Sequence, residues 1–113
     1  MRGGGHSIDL TKWEDVEVLV DSEVLLTSIP RSVLERLGFK PIARRKLRVY
    51  GGGLVERDIG GVVVEYEGQR AIVPVIFGEE GGIPVLGVAA LEALGYQIDP
   101  VSKKLKPTEL LMV

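Results

Sequence analysis

The strongest constraint on the fold is a series of Val-rich segments separated by glycine-containing turns. The clearest pair comprises residues 59–66 and 69–77, which are joined by the dipeptide Glu67-Gly68. Val is β-branched and favours strands, whereas glycine suits turns that require unusual backbone angles. Because the 113 residues include 16 Val and 15 Gly, the sequence predicts a mostly β fold.

A second hairpin is predicted in residues 44–57. Residues 44–50 form a basic first strand, the three glycines at 51–53 form the turn, and residues 54–57 form the returning strand. Successive glycines predict an unusually flexible tip. Further apolar strands are predicted at residues 16–20, 24–29 and 83–87, with a shorter one at 96–99.

Two short helices are predicted, each directly after an apolar strand. Pro30 begins the first, because proline suits the first helical turn, and residues 88–94 form the second. The helices end in the similar segments Leu-Glu-Arg-Leu-Gly (34–38) and Leu-Glu-Ala-Leu-Gly (91–95). This repeat indicates two similar strand–helix units. It is also a common way for unrelated helices to end, so the pattern alone leaves both interpretations open.

The composition excludes several kinds of site. The chain has no Cys, which rules out disulfides, thiolate catalysis and cysteine-ligated zinc, and its single His is His6. A Ser-His-Asp site would depend on that N-terminal residue and is not expected. We therefore predict neither a metal nor a cofactor. The 14 basic and 16 acidic residues give a net charge of −2, which argues against a nucleic-acid partner.

The N-terminal segment has no apolar region of the kind that a signal peptide needs, and no apolar run is long enough to span a membrane. We therefore expect a cytoplasmic protein without a membrane partner. Residues 1–12 are assigned to a flexible N-terminal arm and residues 13–113 to a single domain. The absence of Asn and the presence of only two Gln are typical of thermophile proteins.

Asp21 is the strongest candidate for a catalytic residue. It stands at the end of the apolar strand 16–20, where the chain leaves the core. A carboxylate in that position is partly shielded from water, which is how proteins tune acids for catalysis. The alternative is an ordinary Asp-Ser pair that begins a turn, which is a common arrangement.

The segment that contains this aspartate resembles that of a known family. Residues 20–30, Val-Asp-Ser-Glu-Val-Leu-Leu-Thr-Ser-Ile-Pro, resemble the active-site segment of retropepsin-like aspartic proteases, whose pattern is an apolar residue, Asp, Thr or Ser, Gly and Ala. The helix after Pro30 matches the prokaryotic single-domain form. Residues 47–57 resemble the substrate-covering hairpin called the flap, and Val-Leu-Gly at 85–87 resembles the second apolar-apolar-Gly element. The resemblance runs in order over residues 14–113.

The resemblance implies a fold and a mechanism. The fold would be a closed, mostly antiparallel β-barrel of the acid-protease type, with two short helices, assembled as a symmetric homodimer. The two strand–helix units would thread past each other, and the apolar tail at 109–113 would pair in the dimer sheet. Each chain would supply one Asp21, and the pair would share a proton to hydrolyse an extended peptide. The partners would be a second copy and a peptide substrate.

The resemblance also assigns roles to individual residues. Asp21, Ser22 and Glu23 occupy the catalytic positions, and the Ser22 hydroxyl would link the two active-site loops through backbone hydrogen bonds. The hairpin tip would close over the substrate and pair with its backbone. The substrate-binding residues of that tip would be Tyr50, Gly51, Gly52, Gly53 and Leu54.

Glu23 departs from the family pattern, which has glycine at this position, and Val24 stands where Ala is usual. In a dimer, the bulk and charge of two Glu23 side chains would crowd the two Asp21 carboxylates. The alternative hypothesis is therefore a catalytically inactive member of the same fold that serves as a dimerisation or peptide-binding module.

A third hypothesis belongs to another class of protein. The basic strand with Arg44, Arg45, Lys46 and Arg48 could serve a small β-barrel that binds nucleic acid. Such a charge cluster is more often one solvated face of a strand, and the negative net charge agrees with that interpretation. We therefore rank it below the two retropepsin-like hypotheses.

Overall fold

The computed structural model describes residues 2–10, 14–21, 23–49 and 51–108. This part of the chain contains nine strands and two helices. In chain order they are β1 (Arg2–Leu10), β2 (Glu14–Asp21), β3 (Thr27–Pro30), α1 (Arg31–Arg36), β4 (Ala43–Arg48), β5 (Leu54–Tyr66), β6 (Gln69–Gly78), β7 (Val85–Leu86), α2 (Val88–Leu94), β8 (Tyr96–Ile98) and β9 (Leu105–Pro107).

Seven strands form one mixed sheet in the order β1-β2-β7-β3-β6-β5-β4, and β8 pairs with β9 in a second, two-stranded sheet. The β2–β7 and β3–β6 pairs are parallel. The other pairs are antiparallel, including the two hairpins β4–β5 and β5–β6. The mostly β prediction and both predicted hairpins are therefore confirmed.

The predicted closed antiparallel barrel is wrong, because the sheet is mixed and is not closed into a barrel. Strand β4 lies at one edge, and β1 meets β5 at only two residue pairs, Asp9 with Glu65 and Leu10 with Val64. Strands β3 and β7 are short, with four and two residues, but each pairs with a strand on both sides, so the sheet continues through them. The sheet stays open between β1 and β5, because two residue pairs make too short a hydrogen-bond ladder to close it.

The segment at residues 2–10 differs from the flexible arm assigned to residues 1–12. It forms β1, which runs antiparallel to β2 from Leu10 opposite Glu14 to Arg2 opposite Asp21. Its pairing comes from backbone hydrogen bonds with β2, and its glycine-rich sequence has no apolar alternation that would predict a strand.

Strand β5 is continuous over 13 residues, although the sequence suggested two separate strands at 54–57 and 59–66. The first half of β5 pairs with β4 and the second half with β6. Ile59 belongs to both ladders, because it lies opposite Ala43 on one side and Ile76 on the other. A single strand therefore connects the glycine-tipped hairpin rigidly to the centre of the sheet.

The two predicted strand–helix units are present and lie side by side. Pro30 ends β3 and precedes α1, and Gly87 precedes α2. Strands β3 and β7 meet where Ser28 lies opposite Val85, and each also pairs in parallel with a longer strand from the other half of the chain. The repeat at the helix ends thus reflects two similar units.

No helix in the described residues is long and apolar enough to cross a membrane.

The core lies between the sheet and the two helices. Apolar side chains from β2, β3, β5 and β6 meet those of both helices, and each such side chain stabilises the fold by about 1.5–3 kcal/mol when fully buried. The largest of these fully buried side chains belong to Phe77, Ile29, Leu34, Leu86 and Leu91. This packing places the end of β2 beside the start of α2.

Candidate active site

Asp21 is the last residue of β2, and only 7% of it is exposed. Its Oδ1 atom accepts a hydrogen bond of 3.0 Å from the backbone N–H of Glu23. Its carbonyl oxygen accepts a second, longer bond of 3.3 Å from the N–H of Val24. A tight turn after the strand therefore orients the carboxylate, as a reacting acid requires.

The loop that follows Asp21 is held by the N-terminus of α2. The first two N–H groups of this helix donate to the carbonyl oxygens of Val24 and Leu25, at 2.8 and 3.1 Å. The N–H of Gly87 donates to the buried Oγ1 of Thr27 at 3.1 Å. A Cβ atom on Gly87 would lie 2.5 Å from the carbonyl oxygen of Leu25, so only glycine fits this contact. The second strand–helix unit thus supports the candidate catalytic loop.

The hairpin β4–β5 ends in a turn that glycine alone accommodates well. Gly51, Gly52 and Gly53 have φ values of 95°, 89° and 131°, which side chains disfavour. The N–H of Val49 donates to the carbonyl oxygen of Gly53 at 3.0 Å and closes the turn. The predicted glycine-tipped hairpin is therefore present in the structure.

A groove with a cavity volume of about 590 Å³ lies between the loop at residues 23–26 and this hairpin. Most of its side chains are apolar, and several of them are unusually exposed, including Leu25 at 63% and Val49 at 40%. Exposed apolar groups in a groove are typical of a ligand-binding surface. The residues that line it are Glu23, Val24, Leu25, Leu26, Leu47, Arg48, Val49, Gly51, Gly52 and Ile76.

The groove brings together some of the predicted site residues. Glu23 contributes from the loop, and Gly51 and Gly52 contribute from the hairpin. Asp21 is buried and does not line the groove of a single chain. Gly53 and Leu54 are exposed but lie outside the groove lining. The remaining two predicted residues, Ser22 and Tyr50, fall outside the described residues, as does the apolar tail at 109–113.

Several residues of the site were not predicted. Thr27 is 1% exposed and binds Gly87, although its only signal in the sequence is a hydroxyl within an apolar run. Ile76 also lines the groove, and only the pairing of β5 with β6 brings it there. Leu47 and Val49 line the groove as well, and both belong to the 47–57 segment that resembles the flap.

An ion cluster lies at the base of the hairpin. Asp58 of β5 accepts hydrogen bonds from Arg31 of α1 and, at 3.1 Å, from Arg44 of β4. The Arg31 guanidinium also lies 5.2 Å from the centre of the Phe77 ring. These two guanidinium groups, Arg31 first, lower the pKa of Asp58. Arg44 also pairs with Glu56, so this part of the basic strand is largely neutralised.

The described part of the chain shows no group of three or more His, Cys, Asp or Glu side chains arranged to hold a metal ion. Asp21 can exchange a proton with a substrate or water, and Glu23 can attract a cation.

The mixed sheet, the two strand–helix units and the glycine-tipped hairpin form a retropepsin-like fold, as comparison with solved structures shows. No family model matches the sequence, and no curated protein matches it. Among solved structures, the EIAV protease complexed with the inhibitor HBY-793 has a TM-score of 0.65 and 16% sequence identity, over 97% of this chain and 93% of that one. The solution structure of the simian foamy virus (mac) protease has a TM-score of 0.61 and 15% identity, over 79% and 92%. At these identities the likeness is one of fold.

Proposed function

We propose that this protein is a homodimeric aspartic endopeptidase in which each chain supplies one Asp21. The observation that carries the proposal is the groove between the Asp21–Glu23 turn and the glycine-tipped hairpin. The same fold serves the EIAV protease, which was solved with an inhibitor bound. A mostly apolar groove lined by Glu23, whose backbone N–H orients the Asp21 carboxylate, suits the binding of a peptide close to an acid.

The chemistry requires two carboxylates that share one proton. One carboxylate takes a proton from a water molecule, which attacks the peptide carbonyl carbon, while the protonated partner donates a hydrogen bond to the carbonyl oxygen. Because one chain provides a single Asp21, a two-fold axis between two chains would supply the second. In this arrangement the Ser22 hydroxyls would tie the two loops together across the axis.

The hairpin would provide the other wall of the substrate site. An extended peptide would lie between the catalytic loop and the tip formed by Tyr50 to Leu54, and it would pair with their backbone groups. Leu25 and Val49 would contact its apolar side chains. The three glycines let the tip move over the peptide and exclude water during the reaction.

Glu23 is compatible with the backbone part of this proposal. The only non-glycine residues with positive φ among those described are Glu67 and Lys103, so the turn at Glu23 does not require glycine. The Glu23 N–H still orients Asp21. Its acidic side chain in the groove favours the second candidate, a peptide-binding module that does not cleave, because added negative charge near the dyad opposes ionisation of the one aspartate that must act as the base.

Cleavage of an unstructured protein between pH 3 and 7, read by mass spectrometry, tests the proposal. Wild type is expected to release fragments that disappear in Asp21→Asn, since the amide cannot act as a base. A Glu92→Gln variant, altered on the exposed face of α2, serves as the control and should cleave normally. A folded wild-type protein that produces no fragments would support the non-catalytic module.

A further inference from the structure

We infer that the groove selects peptides carrying a Lys or Arg side chain next to the bond that approaches Asp21, and that Glu23 makes this selection. The inference rests on the proposed function of the groove as a peptide site. It adds a class of substrate, defined by charge, to a groove whose other lining is mostly apolar.

The first step is the position of Glu23 relative to Asp21. The 3.0 Å hydrogen bond from the Glu23 N–H to the Asp21 carboxylate fixes the backbone of both residues in one turn. The Glu23 side chain is exposed and lines the groove. A peptide side chain adjacent to the reacting bond would therefore meet this carboxylate before any other acid of the loop.

The second step is the surroundings of the carboxylate. The groove lining around it includes Val24, Leu25 and Val49, so a long side chain that reaches this exposed carboxylate can also contact apolar groups. Lys and Arg suit such a site, because their aliphatic stems pack on apolar groups while the charged end reaches an acid. An acidic peptide side chain would be repelled at the same position.

The third step concerns the other charged residue in the lining, Arg48. It belongs to the last position of β4, on the hairpin wall, whereas Glu23 lies on the wall formed by the catalytic loop. The two charges therefore act on different parts of a bound peptide. Removing the Arg48 charge should leave the preference for a basic residue in place.

Binding to the Asp21→Asn protein tests the inference without cleavage. A set of fluorescent octapeptides carries a single Lys, Gln or Glu moved through every position of a common Val- and Leu-containing sequence. At one position, Lys is expected to bind about two- to fivefold more tightly than Gln, which is the range for an exposed ion pair. Glu should bind most weakly there.

Two further variants in the same Asp21→Asn background identify the acid responsible. Glu23→Gln is expected to abolish the preference for Lys, while Glu92→Gln should retain it. Equal affinities for Lys and Gln at every position, a preference that survives Glu23→Gln, or no binding of any peptide would each overturn the inference.

Parallel cleavage by the wild type separates the two proposals. A Glu23-dependent preference for Lys without cleavage would uphold the selection and contradict the endopeptidase. Cleavage that depends on Asp21 without any preference for basic residues would uphold the endopeptidase and contradict the selection by Glu23.

Discussion

Asp21 and Thr27 are the two buried polar residues among the described side chains, and both accept a hydrogen bond from a backbone N–H. A buried polar atom without a partner is costly, so these bonds explain why the fold tolerates both residues. The Thr27 bond also connects the segment after Asp21 to Gly87, the residue that precedes α2. The hydrogen bond from the Glu23 N–H therefore determines where the candidate catalytic carboxylate of Asp21 lies.

We predict that Thr27→Val destabilises the protein by about 1–3 kcal/mol, because the Gly87 N–H would remain buried without an acceptor. Valine has nearly the same shape, so little packing is lost. Urea denaturation of both proteins measures the difference. Thr27→Ser keeps the hydroxyl and should recover most of the stability, and an unchanged stability in Thr27→Val would contradict the role assigned to this bond.

Secondary-structure elements were predicted correctly where the residues within the element itself determine its structure. Gly51 to Gly53 identify the hairpin tip, and the repeated Leu-Glu-x-Leu-Gly segments identify both helix ends. Strand β1 was missed, because its glycine-rich sequence has no apolar alternation, although its partner β2 is the next strand in the chain. The ion cluster was missed because Arg31 and Asp58 lie 27 residues apart and no periodicity connects them.

The close contact between Gly87, just before α2, and Leu25 predicts that a methyl group added at Gly87 destabilises the protein. Gly87→Ala would place a Cβ atom 2.5 Å from the Leu25 carbonyl oxygen, so backbone must shift. We expect a loss of about 2–4 kcal/mol in the free energy of unfolding. Gly61→Ala is the matched control, because a Cβ there meets nothing within 4 Å. Equal stabilities of the two variants in urea would contradict the close packing.

The ion pairs of Asp58 with Arg31 and Arg44, at the base of the hairpin, predict that the stability of the protein depends on pH. Arg31 and Arg44 lower the pKa of Asp58 in the folded protein, so Asp58 stabilises the fold above its unfolded pKa of about 3.9. That contribution is lost as the pH falls through the lower, folded pKa. The difference in melting temperature between wild type and Asp58→Asn should therefore be largest near pH 6.

The same difference should shrink steadily as the pH falls from 4 towards 2. Thermal unfolding followed by circular dichroism at several pH values measures it. Glu67→Gln, a change in an exposed turn, provides the control and should show little difference from wild type. A difference between wild type and Asp58→Asn that stays constant down to pH 2 would show that the two arginines do not stabilise the ionised form.

At the scale of the whole molecule, the sequence predicted the retropepsin-like fold but not the shape of its sheet. The order of the Asp21 segment, the glycine-tipped hairpin and the two strand–helix units was sufficient for the fold. The closed barrel was not correct, because β1 and β5 share only two residue pairs. The groove could not be predicted residue by residue, because Ile76 and Arg48 reach it only through sheet pairing.

In the proposed homodimer, two chains build one catalytic site. To test this, wild type is mixed with increasing amounts of Asp21→Asn at constant total protein, and the subunits are allowed to exchange. The rate of peptide cleavage is then measured for each mixture. If both aspartates are needed, only wild-type dimers cleave, and the rate should fall with the square of the wild-type fraction. A rate that falls in direct proportion to that fraction would show that each chain acts alone and would contradict the shared dyad.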